Sequence, residues 1–347
     1  YPTQGKKITI HHLLTHTSGI KSYTSMNVME IARKDMTPGE LIDYFKNEPM
    51  DFAPGETYRY NNSGFVLLGY IIEELSGQSY AAFIEDNIFK PLNMNASHYG
   101  SHTKIIKNRA SGYQRKAQLV NADYLSLTLP YAAGSLMSNT DDLLKWQQAI
   151  HHNTLVKKES IAKAFTNYTL NNGNSINYGY GWSLNEINGI STIEHGGGIF
   201  GYATMGIYVP DEDVYVAVLT NCNCNNSPTN IAIKIAALAL GKPYPEVGET
   251  NVELSQKQLK KWTGTYEFED GAVRFITLED GQLYSQREGG QKFKIFPASP
   301  DRFYFEDGFI EYTFSKKKRK KTVVFKQRIN TSKGVAITGK SNRKKTE

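Results

Sequence analysis

Apolar positions recur every three or four residues through much of the first half of the chain and alternate with polar ones through its last third. The first pattern belongs to amphipathic helices and the second to strands with one covered face. Thr37 followed by Pro38 predicts a helix over "PGELIDYFKN", and Ser63 opens a second, "GFVLLGYIIEELS", with Gly77 just past its end. Ser79 is placed to cap "YAAFIEDNIF", and Asn139 or Thr140 to cap "DDLLKWQQAI". Later, Ser227-Pro228 starts "TNIAIKIAALAL", which Gly241 and Pro243 terminate.

Between these helices the period changes to that of strands: "YGWSLNEI", an Asn188-Gly189 turn, "ISTIEHG", "YATMGIYV", a Pro210-Asp211 turn and "VYVAVLTN". Connections this short make the sheet antiparallel. Residues 214–219 are apolar at every position, as in a strand covered on both faces, yet nothing obvious in the sequence pairs with its far side. Natural proteins avoid such bare edges, so partner strands are expected from upstream of Tyr1, with cover by the C-terminal region as the alternative.

Residues 242–255 are rich in Pro, Gly and acidic side chains and predict a linker. Beyond it, "WTGTYEF", "VRFITLE", "QLYSQRE", "QKFKIFPAS", "DRFYFED", "FIEYTFS" and "TVVFKQR" are short alternating strands separated by turn residues. The expected organisation is a mixed α/β (α+β) domain over 1–241, with helices flanking an antiparallel sheet. A linker over 242–255 then leads to a small all-β barrel or sandwich over 256–347 that ends in a basic tail.

With 347 residues, 39 % of them hydrophobic, the chain has the material for a sizeable core. Its formal net charge of +6 equals the six cations of the run Lys316, Lys317, Lys318, Arg319, Lys320 and Lys321, so the remainder balances. That run falls between two predicted strands and lacks interleaved aromatics, which points to a solvated hairpin tip and excludes a nucleic-acid surface. The longest apolar stretch, 231–240, contains Lys234 and is half of the roughly 20 residues a membrane span needs. Cys222 and Cys224 are poorly spaced for a mutual disulfide and too few for a structural zinc. His12 and His16 stand four apart on a predicted helix with His11 beside them, like two zinc-protease ligands. The residues between them, Leu13, Leu14 and Thr15, supply no general-base glutamate, so capping or core roles and no metal are expected.

Two stretches remain that could carry chemistry. Tyr60 and Asn62 flank a helix start, where both side chains could project from a rigid point into a cleft; a phenol with a reference pKa of about 10 acts as a base only beside positive charge. His195 lies at the end of a strand and precedes Gly196, Gly197 and Gly198, which permit close backbone approach and could offer N–H donors to an oxyanion. Each stretch by itself also fits a bland reading: an ordinary core tyrosine with a capping Asn62, and a surface histidine in a glycine turn.

Together, "ITIHHLLTHTSGI", "FAPGETYRYNNSGFVLLGYIIEELSGQSY", "IFKPLNM" and "EHGGGIFGY" resemble the class C β-lactamase and penicillin-binding-protein superfamily of serine hydrolases, including its D-aminopeptidase and esterase relatives. The resemblance covers about residues 5–240. It implies a two-lobed serine β-lactamase or transpeptidase fold followed by a lipocalin-like β domain, in the periplasm or outside the cell; a monomer with no cofactor, acting on a small-molecule or peptide substrate, is expected. It also implies that Tyr60 moves the proton of a nucleophilic serine and that Asn62 binds the substrate amide. His195, Gly196 and Gly197 would stand at the family's Lys-Thr-Gly strand, and the N–H of Gly198 would be one oxyanion donor.

The family's Ser-x-x-Lys nucleophile is expected upstream of Tyr1, leaving none in this chain. Formal matches at Ser18–Lys21, Ser101–Lys104, Ser160–Lys163, Ser315–Lys318 and Ser341–Lys344 are rejected on context, Ser160 as a helix cap. Histidine in place of lysine weakens the pull on a substrate carboxylate and tilts the substrate from penicillins toward peptides, D-amino-acid peptides or esters. The alternative is a catalytically inactive member that binds cell-wall peptides or a protein.

Overall fold

The computed structural model describes residues 1–224, 227–246, 252–318 and 320–337. The chain divides into two compact units, the first Tyr1–Asn185 with Ser191–Ala236, the second Glu186–Ile190 with Ala237–Glu347.

In the first unit the capping chemistry sets the helix boundaries. Thr37 and Glu40 satisfy each other's backbone at the start of Pro38–Phe45, a reciprocal capping box. The long helix runs Asn62–Ser76 and ends on Gly77 in the left-handed conformation. Its N-cap is Asn61, whose extended backbone lets the side chain accept from Gly64 N; Asn62 is the first helical residue, one earlier than Ser63. Ser79 caps Tyr80–Ile84, which continues as a π-helical turn over Glu85–Phe89, and Asn139 caps Thr140–His151. Leu13, Phe45, Val66, Leu129 and Tyr131 form the centre of the helical core.

Gly69 is required where the long helix meets the 3-10 turn Tyr131–Ala133: an added Cβ would lie 2.2 Å from Ala132 Cβ and 2.8 Å from Tyr131 Cε1. Overpacking of this kind costs typically 1–3 kcal/mol. Gly69→Ala is therefore expected to lose about 2 kcal/mol, read as a lower urea midpoint for the first unit. An unchanged midpoint would contradict this seating of the helix.

The sheet has four strands in the order Ser183–Ile187, Ile190–Ile199, Tyr202–Val209 and Val214–Thr220. Asn188 and Gly189 both take positive φ, as a two-residue hairpin turn of this type demands. The Val214–Thr220 strand pairs with Tyr202–Val209 on one side, the helix Thr140–His151 contacts it, and its other edge has no partner strand among the described residues. Cys222 and Cys224 are joined as a disulfide with Cα atoms 5.1 Å apart, correcting the expectation from their spacing: that separation lies in the range a disulfide bridges.

The second unit contains a closed barrel of eight antiparallel strands. Seven follow the sequence pattern; the eighth, Asn330–Ile337, pairs with Lys320–Gln327 and with Gly264–Phe268 and completes the ring. Aromatic side chains fill the interior, where Trp262 stacks on Phe314 and donates from Nε1 to Pro300 O at 2.8 Å. The lysine run does form a hairpin end, with Lys316 opposite Lys321 and Lys317 opposite Lys320. Arg319, part of the predicted linker (247–251) and the basic tail from 338 lie outside the described residues. No helix among the described residues is long and apolar enough to cross a membrane.

Candidate active site

The start of the long helix is pinned before any reactive side chain is placed. Asn61 is buried, its N–H donates to His16 Nδ1 at 3.0 Å, and its carboxamide donates to Ile20 O. Tyr60 is thereby held on the residue before a fixed point, and its side chain stays 46 % exposed, open to a ligand. Its ring lies 4.3 Å from the ring of His16 and 6.0 Å from that of His195. Asn62 donates from Nδ2 to Thr24 Oγ1 at 3.2 Å, and its N–H donates to Ser22 Oγ at 3.3 Å.

His195 comes from the strand Ile190–Ile199, opposite Gly206. The three glycines do not end that strand, as the sequence reading had it. They extend it, with Gly196, Gly197 and Gly198 opposite Met205, Thr204 and Ala203. A Cβ on Gly197 would lie 2.8 Å from Thr204 Oγ1, and one on Gly196 3.2 Å from Thr204 O, whereas one on Gly198 would meet nothing within 4 Å. The strand is thus bare at Gly198, where a ligand backbone has room to come alongside.

Two residues that the motifs did not single out complete the cluster. Tyr178, 2 % exposed, has its hydroxyl 3.1 Å from His16 Nε2 and 3.1 Å from His195 Nε2. His16, 1 % exposed, is a core histidine: the helix Ile10–Leu14 stops short of it, and its φ of 56° turns it out of register with His12. His12 instead accepts from Thr9 N in a capping box. Among the described residues no group of three or more His, Cys, Asp or Glu could hold a metal. A sequence signal for Tyr178 would have been hard to find, since its partners lie 162 residues before and 17 after it.

Burial dominates the electrostatics. It lowers His16 to about 3, with His195 adding repulsion, and it also lowers His195. Burial raises the phenols of Tyr60 and Tyr178, and Tyr58 goes up to about 12. The cluster is therefore neutral at pH 7, and Tyr60 keeps its proton unless a cation is brought beside it.

Three of the serines in the rejected Ser-x-x-Lys matches are engaged elsewhere. Ser18 accepts from Ile20 N while Lys21 pairs with Asp51 at 3.1 Å; Ser101 accepts from the backbone of Thr103 and Lys104; Ser315 meets Thr322 in the barrel. Contrary to the expectation from its sequence context, Ser160 is not a helix cap: Lys157 is the N-cap and Ser160 sits inside the first turn of Lys158–Ala164. Ser341 lies outside the described residues.

Comparison with known proteins gives this arrangement its context. The Beta-lactamase family model matches residues 1–240. Penicillin-binding protein 4* of Bacillus subtilis is 31 % identical over 339 residues, covering 91 % of this chain and 74 % of that protein. Among solved structures, the octameric penicillin-binding protein homologue from Pyrococcus abyssi is 28 % identical with a TM-score of 0.60, covering 95 % of this chain and 78 % of the other. The D-stereospecific amidohydrolase from a Streptomyces species is 27 % identical with a TM-score of 0.56, over 62 % of this chain and 68 % of the other. On the match over residues 1–240 and the identity to the Bacillus protein, the chain belongs to the β-lactamase family of serine hydrolases related to the penicillin-binding proteins.

Proposed function

We propose that this chain provides the Tyr60, Asn62 and His195 side of a serine hydrolase that cleaves an amide or ester, a D-amino-acid peptide or ester in preference to a penicillin. The observation that carries the reading is the convergence of the Tyr60 and His195 rings at 6.0 Å beside a strand left bare at Gly198. In this reading the acylated serine belongs to a Ser-x-x-Lys segment that is not among these 347 residues.

Tyr60, Asn62 and Gly198 then act on a serine and a lysine supplied by that segment. The serine oxygen attacks the substrate carbonyl carbon, and its proton passes to the Tyr60 phenolate, which the lysine of the same segment has made accessible by its charge. The carbonyl oxygen becomes an oxyanion facing the N–H of Gly198. When the tetrahedral species collapses, the carbon–nitrogen or carbon–oxygen bond breaks and Tyr60 returns the proton to the leaving amine or alcohol. Asn62 holds the substrate amide. Water repeats the sequence on the acyl-serine. The D-stereospecific amidohydrolase likeness supports an amide substrate, and the family supports a location outside the cytoplasm.

The engagement of Ser18, Ser101 and Ser315 elsewhere favours a second reading for the chain taken by itself, a binding module for cell-wall peptides or a protein. A fluorescent fluorophosphonate tests the placement of the nucleophile. These 347 residues are expected to remain unlabelled, and covalent labelling of any serine in them would overturn the placement of the nucleophile. The proposal also takes the molecule as a monomer, in contrast to the octameric Pyrococcus homologue, and its sedimentation coefficient distinguishes the two.

A further inference from the structure

Four hydrogen bonds run in series from the start of the long helix through His195 to Gly196. Asn61 N–H donates to His16 Nδ1 at 3.0 Å. His16 Nε2 lies 3.1 Å from the Tyr178 hydroxyl, which lies 3.1 Å from His195 Nε2. His195 Nδ1 lies 2.6 Å from Gly196 O.

The two ends fix the direction of the whole series. An amide N–H can only donate, so His16 Nδ1 is bare and neutral His16 carries its proton on Nε2, donating to Tyr178. A carbonyl oxygen can only accept, so His195 Nδ1 carries a proton. Tyr178 then gives its one O–H hydrogen to His195 Nε2, which must be bare. Every donor finds an acceptor only when both imidazoles are neutral, in opposite tautomers. A second proton on His195 would strand the Tyr178 hydrogen, because His16 Nε2 on its other side is already a donor. A buried donor without an acceptor is costly, and Tyr178 is 2 % exposed.

We propose that Asn61, His16 and Tyr178 form a proton-ordering relay that holds His195 neutral with both nitrogens occupied. The site wall formed by His195 then receives an uncharged part of the substrate, an amide or ester, and rejects a carboxylate in that place. His16 and Tyr178 are positioning residues, since they act through His195. Only the substrate half of this inference rests on the hydrolase reading.

The titratable groups around His195 agree with the assignment. Tyr60 and Tyr178 face its ring, and His16 and Tyr58 stand behind them. Across the strand pair the Tyr215 hydroxyl lies beside Gly206, and Glu194, the preceding residue, points to the opposite sheet face. None of these brings a positive charge to the ring of His195.

The test is long-range proton–nitrogen correlation NMR on the full chain with labelled histidines, between pH 8 and 5, with His195 assigned by the signal lost in His195→Asn. The expected result is His195 with its proton on Nδ1 and His16 with its proton on Nε2. Tyr178→Phe, which deletes one oxygen, is expected to let His195 bind a proton roughly ten times more tightly. An Nε2–H tautomer at His195 in the unaltered protein, or unchanged proton affinity in Tyr178→Phe, would overturn the relay. If that variant does not fold, the tautomer pair in the unaltered chain decides alone.

For the substrate half, phenylalanine amide is expected to perturb the His195 signals at lower concentration than phenylalanine with its free carboxylate. Equal or reversed response would overturn it. The tautomer pair does not depend on turnover, so a serine-bearing protein without amidase or esterase activity would count against the hydrolase reading and leave the relay standing.

Discussion

Tyr60→Phe in a serine-bearing form of the protein should lower kcat for an amino-acid amide by about 100- to 10,000-fold, the range that a positioned proton-transfer group contributes. Stability should change by less than about 0.5 kcal/mol, because the side chain is 46 % exposed and the ring contacts with His16 and His195 survive in phenylalanine. That split is the informative part. A tyrosine that merely packs would leave turnover as unchanged as the urea midpoint, whereas a proton carrier loses turnover alone. The pH profile carries a second sign: burial raises the phenol, so catalysis must import positive charge to use it, and neutralising the Ser-x-x-Lys lysine should reproduce much of the Tyr60→Phe defect. Full activity in Tyr60→Phe would remove the phenol from the mechanism.

Acid should destabilise the first unit steeply, and His16 is the main reason. Its unfolded value is 6.5 and its folded value about 3, so between those limits the unfolded chain binds a proton that the folded chain refuses. Stability from this group is complete above about pH 6.5 and drains away as pH falls toward 3; by pH 4 the loss is on the order of 3 kcal/mol. His195, lowered in the same direction, adds to the slope. Urea unfolding of the unaltered chain and of His16→Gln, followed from pH 7 to pH 4, isolates the contribution: the variant begins less stable and loses less. Parallel pH dependences in the two proteins would rule His16 out as the source.

Much of the frame was legible because its determinants are local. Thr37-Pro38, Ser79, Asn139 and Gly77 act within one helical turn, and each sits where the sequence placed it. The long helix was misjudged by one residue because two adjacent asparagines can both cap, and only the extended backbone at Asn61 chooses between them. The glycines after His195 read as a terminus because glycine weakens strands in isolation; pairing with Ala203, Thr204 and Met205 overrides that preference. Asn330–Ile337 escaped notice because Ser332, Lys333 and Gly334 break the alternation, yet a Cβ on Gly334 would stand 3.0 Å from Phe268 and Val323, so glycine seats the strand there without moving either neighbour. The meeting of Tyr60 with His195 could be expected only from the family resemblance. The link through Tyr178 could not be expected even then, since a hydrogen bond spanning 162 residues leaves no periodic trace.

The strand that closes the barrel is also the last of its eight to be synthesised. Until Asn330–Ile337 is in place, Gly264–Phe268 and Lys320–Gln327 each lack the neighbour that it supplies. Closure therefore cannot keep pace with translation, and a nascent or clipped chain that stops before Asn330 presents both margins to other molecules, an invitation to exchange strands with a second copy.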